Sequence, residues 1–245
     1  DVFCATNVMC HISDIRSVAK NIQRLLKPEG VLIFEDPYLG DVIDKTAYDQ
    51  IYDEHVFIFS AHSVQYLFNL EGLELIDVER QSTHGGSMRY TLARRGVFPI
   101  RKSVSELMAQ EKEQGLDKVE TFRSFAENVQ ESRKEFRQLL TSLRSKGKRI
   151  AGYAASSKST TVLNYCSIGP ETIEQIFDST PSKQGKFSPG QHIPIAHSEM
   201  FRTNPPDYAV VLAWNHLDEI SRKERKFVEN GGRWIVHLPR ARVIE

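Results

Sequence analysis

The sequence predicts an α/β protein in three parts: a doubly wound half-sheet over residues 1–95, a helical connector over 96–147 and a smaller α/β unit over 148–245. Three observations predict it. Short apolar runs bounded by turn residues alternate with patterns of helical period through the first 95 residues. The stretch 103–145 is charged, free of proline and apolar near helical spacing. From Lys148 the alternation of strand and helix resumes.

Residues 2–8 read as a short strand and 14–26 as an amphipathic helix, with Ile15, Val18, Ile22, Leu25 and Leu26 on one face. Lys27-Pro28-Glu29-Gly30 stops it, because proline cannot continue a helix and glycine frees the turn that follows. The apolar run 31–34 suits a buried parallel strand. Residues 35–60 then leave the sheet just past that strand's carboxyl end, where open α/β sheets bind ligands. A helix over 61–70 and a strand over 73–78 follow. After His84-Gly85-Gly86-Ser87 the run 88–93 pairs back antiparallel, and Arg94-Arg95-Gly96 with Pro99 closes this part. In the connector Phe122, Phe125, Val129, Phe136, Leu139, Leu140 and Leu143 recur near helical spacing, which makes one or two helices rather than a loose linker. The last unit carries strands at 149–154, 173–178, 208–212 and 234–237, with a helix near 161–165.

Composition narrows the function classes. The 32 basic and 32 acidic residues cancel, so charge gives no case for nucleic acid or an anionic membrane as partner. No apolar run approaches the roughly 18 residues of a membrane helix, and no signal peptide is visible. The three cysteines, Cys4, Cys10 and Cys166, contain no CxxC pair; they fit a reducing, cytoplasmic setting as small buried groups, and no metal site is expected.

The chemistry-bearing segment is Ile51-Tyr52-Asp53-Glu54-His55, a phenol, carboxylates and an imidazole past a strand end. A second candidate is the turn Ala154-Ala155-Ser156-Ser157-Lys158-Ser159-Thr160-Thr161, where helix N-terminal N–H groups and an ammonium make a phosphate cradle or a plain strand-to-helix turn. It is not a Walker A loop, and Gly152-Tyr153-Ala154 fails the GxGxxG pattern at its second glycine, which argues against a nicotinamide-dependent oxidoreductase.

Asn7-Val8 with His11-Ile12-Ser13-Asp14, Leu26-Lys27-Pro28-Glu29-Gly30, Tyr52-Asp53-Glu54-His55 and His84-Gly85-Gly86-Ser87-Met88-Arg89, in this order, resemble the S-adenosylmethionine-dependent sugar C-methyltransferases that act on 4-keto-deoxy nucleotide sugars. The resemblance continues through Asp178, Lys183-Gln184-Gly185, Pro189-Gly190, Ile193-Pro194-Ile195, Leu212-Ala213-Trp214-Asn215 and Glu219-Ile220. It implies the second half of a class I methyltransferase Rossmann-like sheet followed by a second Rossmann-like domain. The chain is then expected to be a fragment, inactive alone, that starts after the family's zinc-binding cysteine segment and glycine-rich cofactor loop.

The same resemblance implies roles. His55 would be the base that deprotonates carbon beside a ketone, Tyr52 the donor to the enolate oxygen, Glu54 the group that orients the imidazole, and His11 a further active-site residue. Asn7 and Val8 would touch S-adenosylmethionine. His84, Ser87, Arg89, Lys158, Thr161, Lys183 and Asn215 are candidate contacts of a nucleotide-diphosphate keto-deoxysugar. Ser159 and Thr160 stand where the family carries glycine and asparagine. Other readings are a methyltransferase on another keto acceptor and a non-catalytic nucleotide-sugar binding module. The sugar, the nucleotide and the oligomeric state are left open.

Overall fold

The structure, a computed structural model, describes residues 1–244. The chain packs as two units: Asp1–Lys45 with Asp53–Phe125, and Thr46–Tyr52 with the chain from Ala126 onward.

The first unit contains β1 (Val2–Thr6), α1 (Ile15–Leu25), β2 (Val31–Pro37), α2 (Leu39–Asp44), α3 (Ala61–Asn69), β3 (Leu73–Gln81), β4 (Ser87–Arg94) and α4 (Lys102–Glu113). Its sheet runs in the order β1-β2-β4-β3, with β1 parallel to β2 and β4 antiparallel to both its neighbours. The hairpin expected from the glycine turn is therefore present. Local chemistry sets the helix starts: the Asp14 carboxylate accepts from the Ser17 N–H at 3.2 Å, and Ser60 and Ser63 cap α3 reciprocally. Glu111 of α4 adds to that cap, accepting from the N–H groups of Ala61 at 2.6 Å and His62 at 3.1 Å. Ile15, Ala19, Ile22 and Leu26 of the first helical segment join Leu32, Phe34, Phe68, Tyr90 and Leu92 in the core. Leu25, expected on that face, is 73% exposed. The 15/19/22/26 stripe of a 3.6-residue helix leaves position 25 to one side.

The connector is two helices. α4 packs with the first unit, and α5 (Val119–Ser145) begins in the first unit and continues into the second. The second unit contains β5 (Ile150–Tyr153), α6 (Ser157–Cys166), β6 (Ile176–Asp178), β7 (Ile195–His197), α7 (Ser198–Thr203), β8 (Tyr208–Val211), α8 (Leu217–Lys223), α9 (Arg225–Glu229), β9 (Arg233–Val236) and β10 (Arg242–Ile244). Its sheet order is β10-β9-β8-β5-β6-β7, parallel except for β10 at one edge. One face is sealed by aromatic packing: Phe201 stacks on Trp234 at 5.6 Å between ring centres, with Tyr153, Phe177 and Phe227 around them. The edge strands β7 and β10 went unanticipated because three residues are too few to show a two-residue alternation. Among the described residues no helix is long and apolar enough to cross a membrane.

Candidate functional site

In the first unit, β1 and β2 end side by side, and the chain turns off each end. After β1, Asn7 takes a left-handed φ of 54°, its N–H donates to the Glu35 carbonyl at 2.7 Å, and Val8 is left 47% exposed. A short 3-10 turn, Met9–His11, then presents His11. The ring of His55, on the turn after residue 52, lies edge-on to it with centres 5.1 Å apart and planes at 62°. The structure thus brings together two histidines 44 positions apart in sequence. Phe57 fixes this segment, its N–H donating to the Cys10 carbonyl at 3.1 Å.

Behind the pair lies Asp36, completely buried near the end of β2, with neither carboxylate oxygen in a hydrogen bond of ordinary geometry. Burial pushes its pKa up to about 6, against the opposing pull of the Cys10 thiol, nearby backbone and His11. The Cys10 thiol is pushed up in turn, first by burial and then by Asp36. Cys10 and Cys166 are buried as expected for small apolar groups, whereas Cys4 is exposed because it lies on the edge strand β1.

The glycine turn is held by charge. Lys45 pairs with Asp41 at 3.0 Å and donates to the Gly85 carbonyl, while Arg80 meets Asp41 at 3.3 Å. Gly86, at φ 137°, is required: a Cβ there would run into the Asp41 carboxyl group. His84 adopts φ 54° in this turn and Ser87 is fully buried. Arg89 is spent between Glu35 and Glu79, at 3.1 Å from each, so its guanidinium serves the sheet in this structure. Glu54 is exposed, and Tyr52 ends the short segment that packs with the second unit.

That segment carries a residue the sequence did not single out. Asp49 is completely buried in the second unit; Trp214 Nε1 donates to its Oδ2 at 2.6 Å, and His237 Nε2 lies 3.8 Å from the same oxygen. Lys158 is close enough for Asp49 to offset part of the fall in its pKa that burial causes. Lys158 is thus turned into the interior, only 8% exposed, rather than lining a phosphate cradle. The signal for Asp49 is weak in sequence: an acidic residue beside Tyr48 and Gln50 reads as surface until the fold encloses it.

A cleft of about 330 Å³ opens at the N-terminus of α6, lined among others by Ser156, Ser157, Thr160, Lys183, Lys186 and Phe187. Ser156 caps the helix, accepting from the Ser159 N–H at 3.2 Å. Asp178, at the end of β6, accepts from the N–H groups of Ala155 and Thr180, each at 2.7 Å, and Lys183 donates to the Ala155 carbonyl at 2.6 Å. Of the expected contacts, Lys183 faces this cleft; Thr160 lines it where Thr161 was expected, one helical position on. Asn215 sits on a 3-10 turn, Trp214–His216, after β8.

The mixed α/β sheets are consistent with the Rossmann-like architecture of a methyltransferase, and the chain belongs to the C-methyltransferase family. Residues 82–239 match the family model described as C-methyltransferase C-terminal domain, and residues 1–78 match a methyltransferase domain. The chain is 38% identical over 235 residues to C-methyltransferase NovU of Streptomyces niveus, covering 96% of this chain and 56% of that protein. It therefore spans little more than half the length of that relative.

Proposed function

We propose that this chain is the catalytic and C-terminal portion of a cytoplasmic, S-adenosylmethionine-dependent C-methyltransferase acting on a nucleotide-linked keto-deoxysugar. The observation that carries the reading is the His11–His55 pair beside the ends of two parallel strands, in a chain of this family. His55 removes the proton from the ring carbon beside the ketone, for which an imidazole that titrates near neutrality is suited. Tyr52 donates a hydrogen bond to the enolate oxygen, and Glu54 orients the imidazole. The nucleophile is then that carbon. S-adenosylmethionine, when bound, supplies an electrophilic methyl on a sulfonium. Asn7 and Val8 would hold it: the left-handed turn at Asn7 leaves apolar Val8 surface for the donor to cover. The α6 cleft, with Lys183 and Lys186 beside a helix N-terminus, suits the diphosphate.

The test is methyl transfer from S-adenosylmethionine to a panel of 4-keto-deoxy nucleotide sugars by the intact protein. Wild type is expected to methylate one of them, and His55→Ala to lose at least about 100-fold in kcat, the scale of a missing general base. A His55→Ala protein with undiminished turnover would remove His55 from the mechanism. No transfer to any member would send the reading to other keto acceptors.

A further inference from the structure

Cys10 Sγ, a ring nitrogen of His11 and a ring nitrogen of His55 all lie within 4.8 Å of one another, in the first unit. Thiolate and imidazole are the donors of thiophilic, borderline-soft d10 cations. Zinc bonds them at about 2.3 and 2.0 Å, which sets tetrahedral ligand atoms roughly 3.5 Å apart. Closing the cluster from its present spread takes movements of about 1 Å. Cys10 and His11 are neighbours on one 3-10 turn and share a backbone frame, and the Phe57 N–H bond to the Cys10 carbonyl at 3.1 Å ties the segment that carries His55 to the same turn. Asp36 completes the surroundings, a buried carboxylate without an ordinary hydrogen bond that faces the Cys10 thiol.

We propose that Cys10, His11 and His55 form a three-donor site for a thiophilic divalent cation such as zinc, with a fourth position open to water. Binding exchanges the thiol proton for the metal: the S–H bond breaks, the proton is released to solvent, and the sulfur pair bonds the cation. No oxidation state changes. No sequence motif announces the site, because its ligands come from the end of β1 and from a loop 44 residues on. Occupancy would withdraw the His55 imidazole from proton transfer. That consequence rests on the catalytic reading of His55, and the metal site does not.

The experiment is titration of the 245-residue chain with Co²⁺, read as the sulfur-to-cobalt charge-transfer band and the visible bands of tetrahedral cobalt, followed by displacement with Zn²⁺. One equivalent is expected to give both sets of bands. Cys4→Ser, which removes the exposed thiol, should leave them unchanged. Cys10→Ser should abolish the charge-transfer band, and His11→Ala and His55→Ala should each weaken affinity by roughly tenfold or more. Zinc should raise the melting temperature of wild type and of none of the three ligand variants. Bands that persist in Cys10→Ser, bands lost in Cys4→Ser, or no binding by wild type would overturn the proposal. Should Cys10→Ser fail to fold, the two histidine variants decide: unchanged cobalt affinity in both overturns it. None of these readouts depends on methyl transfer, so a failed activity assay leaves the outcome intact.

Discussion

Asp36 and Asp178 hold the same kind of place in different units, each at the carboxyl end of a parallel strand and each almost wholly buried. They differ in what meets them. Asp178 receives two backbone N–H groups at 2.7 Å and fixes the loop around the α6 cleft. Asp36 draws partial help from the Cys10 thiol, nearby backbone and His11 but has no hydrogen bond of ordinary geometry, and burial outweighs them. The first carboxylate is structural cement; the second is a strained group held beside a histidine pair. Burial alone therefore does not tell whether a strand-end acid supports the fold or burdens it. The donors that the next turn supplies decide.

Removing the supported acid should have the largest destabilising effect. Asp178→Ala removes the acceptor of two part-buried N–H groups and should cost about 2 kcal/mol, read as a lower urea midpoint at unchanged slope. Asp178→Ala and Asp178→Asn of equal stability to wild type would break the comparison.

Asp36→Asn should do the reverse. Asp36 holds its proton to about pH 6 when folded, against an ordinary value of 3.8, so the folded state carries the extra proton between these values. Stability therefore falls as pH rises from about 4 through about 6, and the full cost stands above that window. At pH 7.5 Asp36→Asn should gain roughly 2 kcal/mol, and at pH 4 the gain should vanish. Denaturation of both proteins across this range checks the sign; a loss at pH 7.5 would mean that the charged carboxylate is needed where it stands.

Asp49 sharpens the comparison from between these extremes, with one strong donor and one oxygen unpartnered. Trp214→Phe should cost about 1.5 kcal/mol, the scale of a hydrogen bond to a charged acceptor. A double-mutant cycle with Asp49→Asn should recover about 1 kcal/mol of coupling. Additive effects would mean that the indole contributes packing alone.

Particular elements show where sequence sufficed. The stop at Pro28 and Gly30, the antiparallel return after Gly85-Gly86 and the helical connector are read from breakers and periodicity, which act over a few residues, whereas that the connector is two helices came from the fold. Tyr52, His55 and His11 stood out by motif resemblance, and the last two do meet in space. The burial of Lys158 was not legible, because a lysine in a Ser/Thr turn reads as solvent-facing and Asp49, near which it lies, is 109 positions away. The partners of Arg89 were hidden for a like reason: the two carboxylates that hold it come from positions 35 and 79.

By itself, then, the sequence determined the main strands and helices of the first part, the turns at Pro28 and Gly85-Gly86 and the family, because these are properties of local pattern and of motifs in order. The tertiary structure alone decided which polar groups lose water and which partners they find there. Whether Asp36 strains and Asp178 braces, whether Asp49 is enclosed with Trp214 and Lys158, and whether Cys10 meets two histidines depend on residues distant in the chain. The electrostatic cost or gain of each is set by that long-range enclosure, which no window of sequence contains.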